Sequence, residues 1–474
     1  MTRARKETKG VLQKLHNGRR LCPRRVAMSF LCPIDFRYGR PKMKAIFEEE
    51  TRLQRLLDVE AALARAHAKV GGIPREAAEE ITRRANTKEV RIDRVRALEE
   101  EIRHDLMAVV LALTEVCKGE AGKYVHFGAT SNDISDTGMA LQLREATRIL
   151  DDDLSLLART LAKLASRHKR TVMLGRTHGQ AAVPMTFGLK IAVFAAEAAR
   201  HRERLREASK RILVGKMSGA VGTGASFGPE AARIQELVME DLGLAFEEAS
   251  TQIVGRDRYA EFIAVLANVA SSLEKFCTEV RNLQRNEIGE AAEAFEERRQ
   301  VGSSTMAQKE NPVASENVCS LARIVRSLVV PAYEDIPLWH ERDLTNSAAE
   351  RFLIPHGCVL LDDMLARTTE IFRGLHVYPD RMRENLEATK GQVMAESVMI
   401  ALARKGMGRQ EAHRLVRDAA QRARLKGMHL KDILAADLKV TKLLPPKELA
   451  AAMNPEKYLG RSIEIVDAIV KRLG

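Results

Sequence analysis

The chain has 474 residues, of which 45% are hydrophobic and only 4% aromatic, and its formal net charge is +13. That length allows a large core, and a core rich in Ala and Leu but short of aromatics suits close helix packing better than sheets. No run of about 18 apolar residues occurs, so no membrane-spanning helix is expected. The charge is unevenly placed. Residues 1–27 hold nine Lys/Arg and one acid, a net of +8, which leaves 13 − 8 = +5 for residues 28–474. That remainder suits an enzyme of anionic substrates as well as a nucleic-acid binder.

The leading segment MTRARKETKGVLQKLHNGRRLCPRRVA has no apolar stretch of the secretory kind. It is expected to be a disordered or mis-called basic extension, with an organelle transit peptide or a nucleic-acid-binding tail as the alternatives, and the chain proper opens near Met28. The cysteines, Cys22, Cys32, Cys117, Cys277, Cys319 and Cys358, are scattered and form no CxxC pair. A disulfide framework or zinc cluster is therefore not expected, and reduced thiols in a cytoplasmic protein are.

Helical periodicity dominates the rest of the chain. Residues 48–70 place Leu53, Leu56, Leu57, Ala61 and Ala64 near helical spacing with charges between them. Further amphipathic runs cover 143–169, 186–212, 259–288 and 315–335. Runs of 20 to 30 residues exceed the usual length of globular helices and argue for a long-helix bundle. Glycine-bearing linkers separate them at 126–133, 175–184, 215–229 and 301–313, so the polar chemistry is expected in loops held by a rigid all-α scaffold. Boundaries are expected near 140 and 388, giving an N-terminal helical domain (28–140), a central bundle (141–388) and a small C-terminal helical domain (389–474).

The segment VGSSTMAQKENPV, residues 301–313, offers hydroxyls, an ammonium group and a helix start. Asn311 is the expected N-cap, with Pro312 at the first helical position. Lys309 would then lie beside a helix N-terminus whose free N–H groups favour a carboxylate or phosphate. Taken alone, the segment reads more readily as a solvated, capped turn than as a site.

GSSTMAQKENP resembles the GSSxMPxKxNP signature of the fumarase/aspartase superfamily. GATSND (128–133) and GRTHGQ (175–180) resemble its other two shared segments, in the expected order. LWHERDLTNSAAERFLIP (338–355), IDFRYG (34–39), RHD (103–105), TQIVGRDR (251–258) and VYPDRMRENLEATKG (377–391) are similar to the branch that releases fumarate from succinylated purine nucleotides. The resemblance runs from about Asp35 to the C-terminal end. It implies an all-α, three-domain fold with a central long-helix bundle, a homotetramer with sites shared between subunits, a small-molecule nucleotide substrate, and no cofactor or metal.

The reaction so implied is a β-elimination that needs a base for the Cβ proton, charge stabilisation for the carbanion and an acid for the departing nitrogen. By resemblance Ser303 is the base and His178 the acid. Glu316 orients His178, Lys309 and Asn311 hold the carboxylate on which charge develops, and His126 touches substrate. Arg37, Tyr38, Arg342, Ser347 and Arg351 hold the nucleotide, chiefly its phosphate. Arg103, His104, Asp105, Thr130, Ser131, Gln252, Arg256, Ser304 and Met306 complete the substrate shell. Each residue also has a plain reading: Arg342 and Arg351, for instance, could simply pair with Glu341, Asp343 or Glu350 on a solvated face.

Three positions depart from the family pattern. Ala307 stands where Pro is usual, Gln308 where His or Tyr is common, and Gly255 where a bulkier residue is common. Gln308 is more familiar from the branch that cleaves argininosuccinate. Two other readings are therefore open: a lyase acting on a non-nucleotide fumarate conjugate, or a non-catalytic binding protein on the same fold.

Overall fold

The computed structural model describes residues 31–295, 305–306 and 308–474. The chain divides into two compact units, Met1–Tyr38 and Gly39–Gly474. In the first, the described part is a short helix, Pro33–Phe36, with proline at its start, followed by Arg37 and Tyr38. The basic extension 1–27 lies outside the described residues.

The second unit is helical, with three small two-stranded β pairs. Its frame is built from α1 (Glu49–Lys69), α2 (Ser131–Arg167), α3 (Phe187–Ile212), α4 (Asp257–Leu283), α5 (Val313–Ser327) and α6 (Ser347–Arg373). α2 packs along α3 and α6, and α4 packs against α3, α5 and α6. These helices bury Ala and Leu at helical spacing, as in Leu150, Leu154, Leu157, Leu161 and Ala165 of α2. Three phenylalanines meet inside the bundle. Phe194 stacks on Phe276 with ring centroids 4.4 Å apart, and Phe372 meets both rings edge-on.

Helix ends explain where α2 begins. Thr130 and Asp133 form a capping box, with the Thr130 N–H donating to Asp133 Oδ2 over 2.8 Å. The helix therefore starts twelve residues before the amphipathic run read from 143, and position 140 lies within it. Residues after 389 add a core of their own, including Val398, Leu402, Val416, Leu434 and Val440. No helix among the described residues is long and apolar enough to cross a membrane.

Two local expectations are corrected. Residues 175–184, read as a glycine-rich linker, belong to an antiparallel hairpin, β1 (Val172–Thr177) and β2 (Gln180–Thr186). Its two-residue turn places His178 at φ 52° and Gly179 at φ 73°, the paired positive φ of a type I′ turn that suits strand twist. The run read at 315–335 is interrupted, giving α5 and a short helix Val329–Glu334. Pro331 lacks an N–H and its ring opposes continuation from the preceding turn.

Candidate active site

A cleft of about 550 Å³ in the second unit is lined by Arg103, His104, Asp105, Ser131, Gln252, Arg256, Arg342, Ser347 and Arg351, together with Arg52, Asp136, Tyr259 and Glu350. Four helix N-termini converge on it: those of Asp105–Val116, α2, α4 and α6. Each end carries a partial positive charge, although the His104, Asp105 and Thr130 side chains already accept N–H groups at the first two. Among the lining side chains, Arg52, Arg103, Arg256, Arg342 and Arg351 are matched in number by Glu99, Asp105, Asp136, Asp343 and Glu350. Side-chain charge therefore cancels formally, and the helix ends tip the cleft towards anions.

The RHD segment is a sharp connection between helices. Arg103 ends Ile92–Ile102 in the left-handed region (φ 56°), and His104 caps the next helix by accepting the Met107 N–H at Nδ1 over 3.3 Å. Asp105 accepts from Arg351 at 3.0 Å and faces Arg52 at 3.6 Å. Burial pushes its pKa up, but the Leu106 N–H and the charges of Arg52, Arg351 and His104 outweigh that and hold the carboxyl below the usual range.

Ser347 is the first residue of α6 and Arg351 lies one turn on, so the two share a face as the four-residue spacing requires. Arg342 donates to Gln252 Oε1 over 2.9 Å, and the Gln252 N–H reaches Glu341 O at 3.3 Å. The arginines thus pair with Asp105 and Gln252, not with Glu341, Asp343 or Glu350. Glu350 instead accepts from Arg256 and Asn346.

Arg256 has a role that its sequence context does not reveal. It is buried, and all five of its N–H donors are used: two on Asp136 (2.8 and 3.0 Å), two on Glu350 (2.6 and 3.1 Å) and one on Val254 O (2.8 Å). Its guanidinium also lies 4.8 Å from the Tyr259 ring centroid. It forms the floor of the cleft and in this arrangement has no donor left for a phosphate. Thr130 is likewise engaged as the α2 cap, one residue before the cleft-lining Ser131.

A second, open depression of about 910 Å³ is lined by Met306, Gln308, Lys309, Asn311 and Glu316, with Arg281 and Arg285. Ser303, Ser304 and Ala307 lie outside the described residues. The helix start here is corrected: α5 opens at Val313, Pro312 holds the cap position, and Asn311 precedes it. The α5 N-terminus is also already occupied. Glu293 accepts the Ala314 and Ser315 N–H groups at 3.2 and 2.6 Å, so a carboxylate of the chain itself fills the anion position expected for a substrate.

His178 stands exposed at the hairpin tip. Among the described residues, no hydrogen bond or salt bridge within the chain joins it to Glu316, which is exposed in the first turn of α5. His126 is mostly buried at φ 60°, with Nδ1 2.7 Å from Glu60 Oε1 and its N–H 3.1 Å from Glu60 Oε2. Burial lowers its pKa, but the hydrogen bond and charge of the buried Glu60, with the charge of Asp133, raise it overall. Arg37 and Tyr38 belong to the first unit, where the Arg37 guanidinium lies 5.9 Å from the Tyr38 ring centroid. Among the described residues, no group of three or more His, Cys, Asp and Glu is placed to hold a metal ion.

The His126–Glu60 pair predicts a pH effect. A histidine whose folded pKa is raised contributes stability that is fully present below its unfolded value near 6.5 and is lost as pH rises through the folded value. The Tm gap between the wild type and His126→Gln should therefore be wider at pH 6 than at pH 9. Thermal melts of both proteins at the two values check this; an equal or reversed gap contradicts the charged pair.

The all-α fold is consistent with a lyase of the fumarase/aspartase superfamily, and residues 35–326 match the family model described as Lyase. A fumarate lyase from Mesorhizobium sp. BNC1 is 35% identical with a TM-score of 0.84, covering 91% of this chain and 98% of that one. A 3-carboxy-cis,cis-muconate lactonizing enzyme from Pseudomonas putida is 36% identical with a TM-score of 0.83, covering 92% and 97%. Residues 391–469 match the model described as Adenylosuccinate lyase C-terminus, and an adenylosuccinate lyase of Pyrococcus abyssi is 53% identical over 92% of this chain and 97% of that protein. The chain belongs to the adenylosuccinate lyase family.

Proposed function

We propose that this lyase removes fumarate from succinyl-AMP, leaving AMP, and from the succinyl-carboxamide ribotide of purine synthesis. The observation that carries the reading is the meeting of Arg342, Ser347 and Arg351 with four helix N-termini in one cleft. Such a cleft suits a phosphate, which argininosuccinate lacks.

In the proposed reaction a base takes the Cβ proton, the electron pair forms the new C=C bond, and the C–N bond breaks. The departing nitrogen receives a proton from an acid. We assign Ser303 as the base and His178 as the acid, with Glu316 orienting His178. A serine alkoxide needs stabilisation, and Lys309 is the cation of its own segment. Lys309 and Asn311 would hold the carboxylate on which charge develops, and His126 would contact substrate. The remaining residues of the cleft, with Thr130, Arg37, Tyr38, Ser304 and Met306, complete the proposed substrate shell, Arg256 acting from below through its carboxylate partners.

The homotetramer with shared sites is part of the same proposal. It is supported by exposed apolar side chains on and near the bundle, among them Val193, Ile324, Val330, Trp339 and Phe352. It would also bring the His178 tip to the Lys309 depression of another subunit. A cytoplasmic location accords with Cys117, Cys277, Cys319 and Cys358 forming no disulfide. The domain division at 140 and 388 is likewise proposed; an apolar cluster formed mostly by residues after 389, which also takes in Leu174 and Leu386, supports the second boundary.

Purified protein supplied with succinyl-AMP should release AMP and fumarate in equal amounts. No turnover of succinyl-AMP, with cleavage of argininosuccinate instead, would overturn the assignment.

A further inference from the structure

The hairpin that carries His178 is anchored close to its tip by a buried salt bridge. Arg176, two residues before the tip, makes a two-pronged salt bridge with Glu290, Nη1 to Oε2 at 2.9 Å and Nη2 to Oε1 at 2.7 Å. Glu290 is fully buried and also accepts from Asn385 Nδ2 at 2.8 Å. Asn385 lies in the helix Pro379–Glu387. The backbone around Glu290 is fixed as well: its carbonyl accepts the Tyr378 N–H at 3.0 Å, and Ala291–Ala292 pairs with His376–Val377. Arg176 leaves the hairpin at an irregularity of the β1–β2 register between Leu174 and Arg176. Gly175 permits it, since a Cβ there would stand 2.6 Å from Val183 O.

We infer that Arg176 and Glu290 are positioning residues for His178, holding the hairpin tip in the place from which it delivers its proton. This rests on the proposed role of His178. A guanidinium and a carboxylate joined by two parallel bonds fix orientation as well as distance, and a side chain displaced by about 1 Å can lose a hundredfold in rate. The knot touches neither cleft nor depression, so its effect should fall on kcat and spare KM.

Arg176→Lys keeps the charge but loses the second prong. It should lower kcat on succinyl-AMP about tenfold or more with KM changed less than about threefold, at a Tm close to wild type. In a His178→Ala background the same change should have no further effect, because the residue it positions is gone. Asn385→Ala removes one bond to Glu290 without changing any charge, and it should lower kcat about threefold, again only when His178 is present. Unchanged kcat in either variant, or the same loss with and without His178, overturns the inference. A wild-type protein that releases no fumarate from succinyl-AMP would instead refute the functional reading.

Discussion

His178→Ala should lower kcat on succinyl-AMP by about 10²–10⁴-fold, with KM and Tm near wild type. The small effect on stability has a structural cause: the side chain is exposed at a two-residue turn and supports no core. The large effect on kcat is chemical. The nitrogen that leaves succinyl-AMP would carry negative charge unless protonated as the C–N bond breaks. An imidazole can serve as the general acid for that transfer. Steady-state kinetics at pH 7 check it. A kcat within threefold of wild type would remove His178 from the reaction and leave the hairpin as a structural element.

Lys216→Met should lower the free energy of unfolding by about 3–5 kcal/mol. Lys216 and Asp133 are both fully buried, with Nζ 2.5 Å from Oδ1. Removing the ammonium leaves Asp133 charged and desolvated, although the Ser218 and Gly219 N–H groups still donate to it. The same carboxylate completes the α2 capping box, so the damage reaches the helix end that carries Ser131. Adding Asp133→Asn to Lys216→Met should recover part of the loss by removing the orphaned charge. Denaturant unfolding of the wild type, the single and the double variant measures both effects. A loss below about 1 kcal/mol in the single variant would mean that the pair contributes little net stability.

The bundle was legible because its helices repeat apolar residues at helical spacing over several turns, and α1 and α3 lie within a residue or two of the runs that announced them. The start of α2 was not, because residues 131–142 carry polar side chains such as Asn132, Asp133, Asp136, Thr137 and Gln142 in buried positions. Asp133, Asp136, Thr137 and Gln142 bond to distant segments, which local periodicity does not record. The hairpin was missed for a related reason. Its turn depends on His178 adopting a left-handed backbone, and His-Gly is a weaker hairpin signal than Asn-Gly or Asp-Gly. Nine of the residues lining the cleft were named beforehand because motif segments flank the helix N-termini that meet there. The others were missed, among them Arg52, Asp136, Tyr259 and Glu350. Arg52 looks like one more charge on an amphipathic helix, and Glu350 gains its meaning from Arg256, which is 94 positions away. Arg256 itself lay inside a recognised segment, but the saturation of its donors could be seen only once Asp136 and Glu350 were placed around it. Glu293 at the start of α5 is similar: Asn311-Pro312 was a sound local cap signal, yet a carboxylate from outside the helix took the role.

The most direct test of the proposed assignment of the cleft to the nucleotide phosphate compares succinyl-AMP with its dephosphorylated counterpart, succinyladenosine, as substrates of the wild-type protein. A cleft built from four helix ends and the Arg342, Ser347 and Arg351 side chains should favour the phosphorylated substrate in kcat/KM by about a hundredfold or more, since charge-assisted hydrogen bonds contribute about 1.5–3 kcal/mol each. Equal kcat/KM for the two substrates would contradict the assignment of this cleft to the nucleotide phosphate.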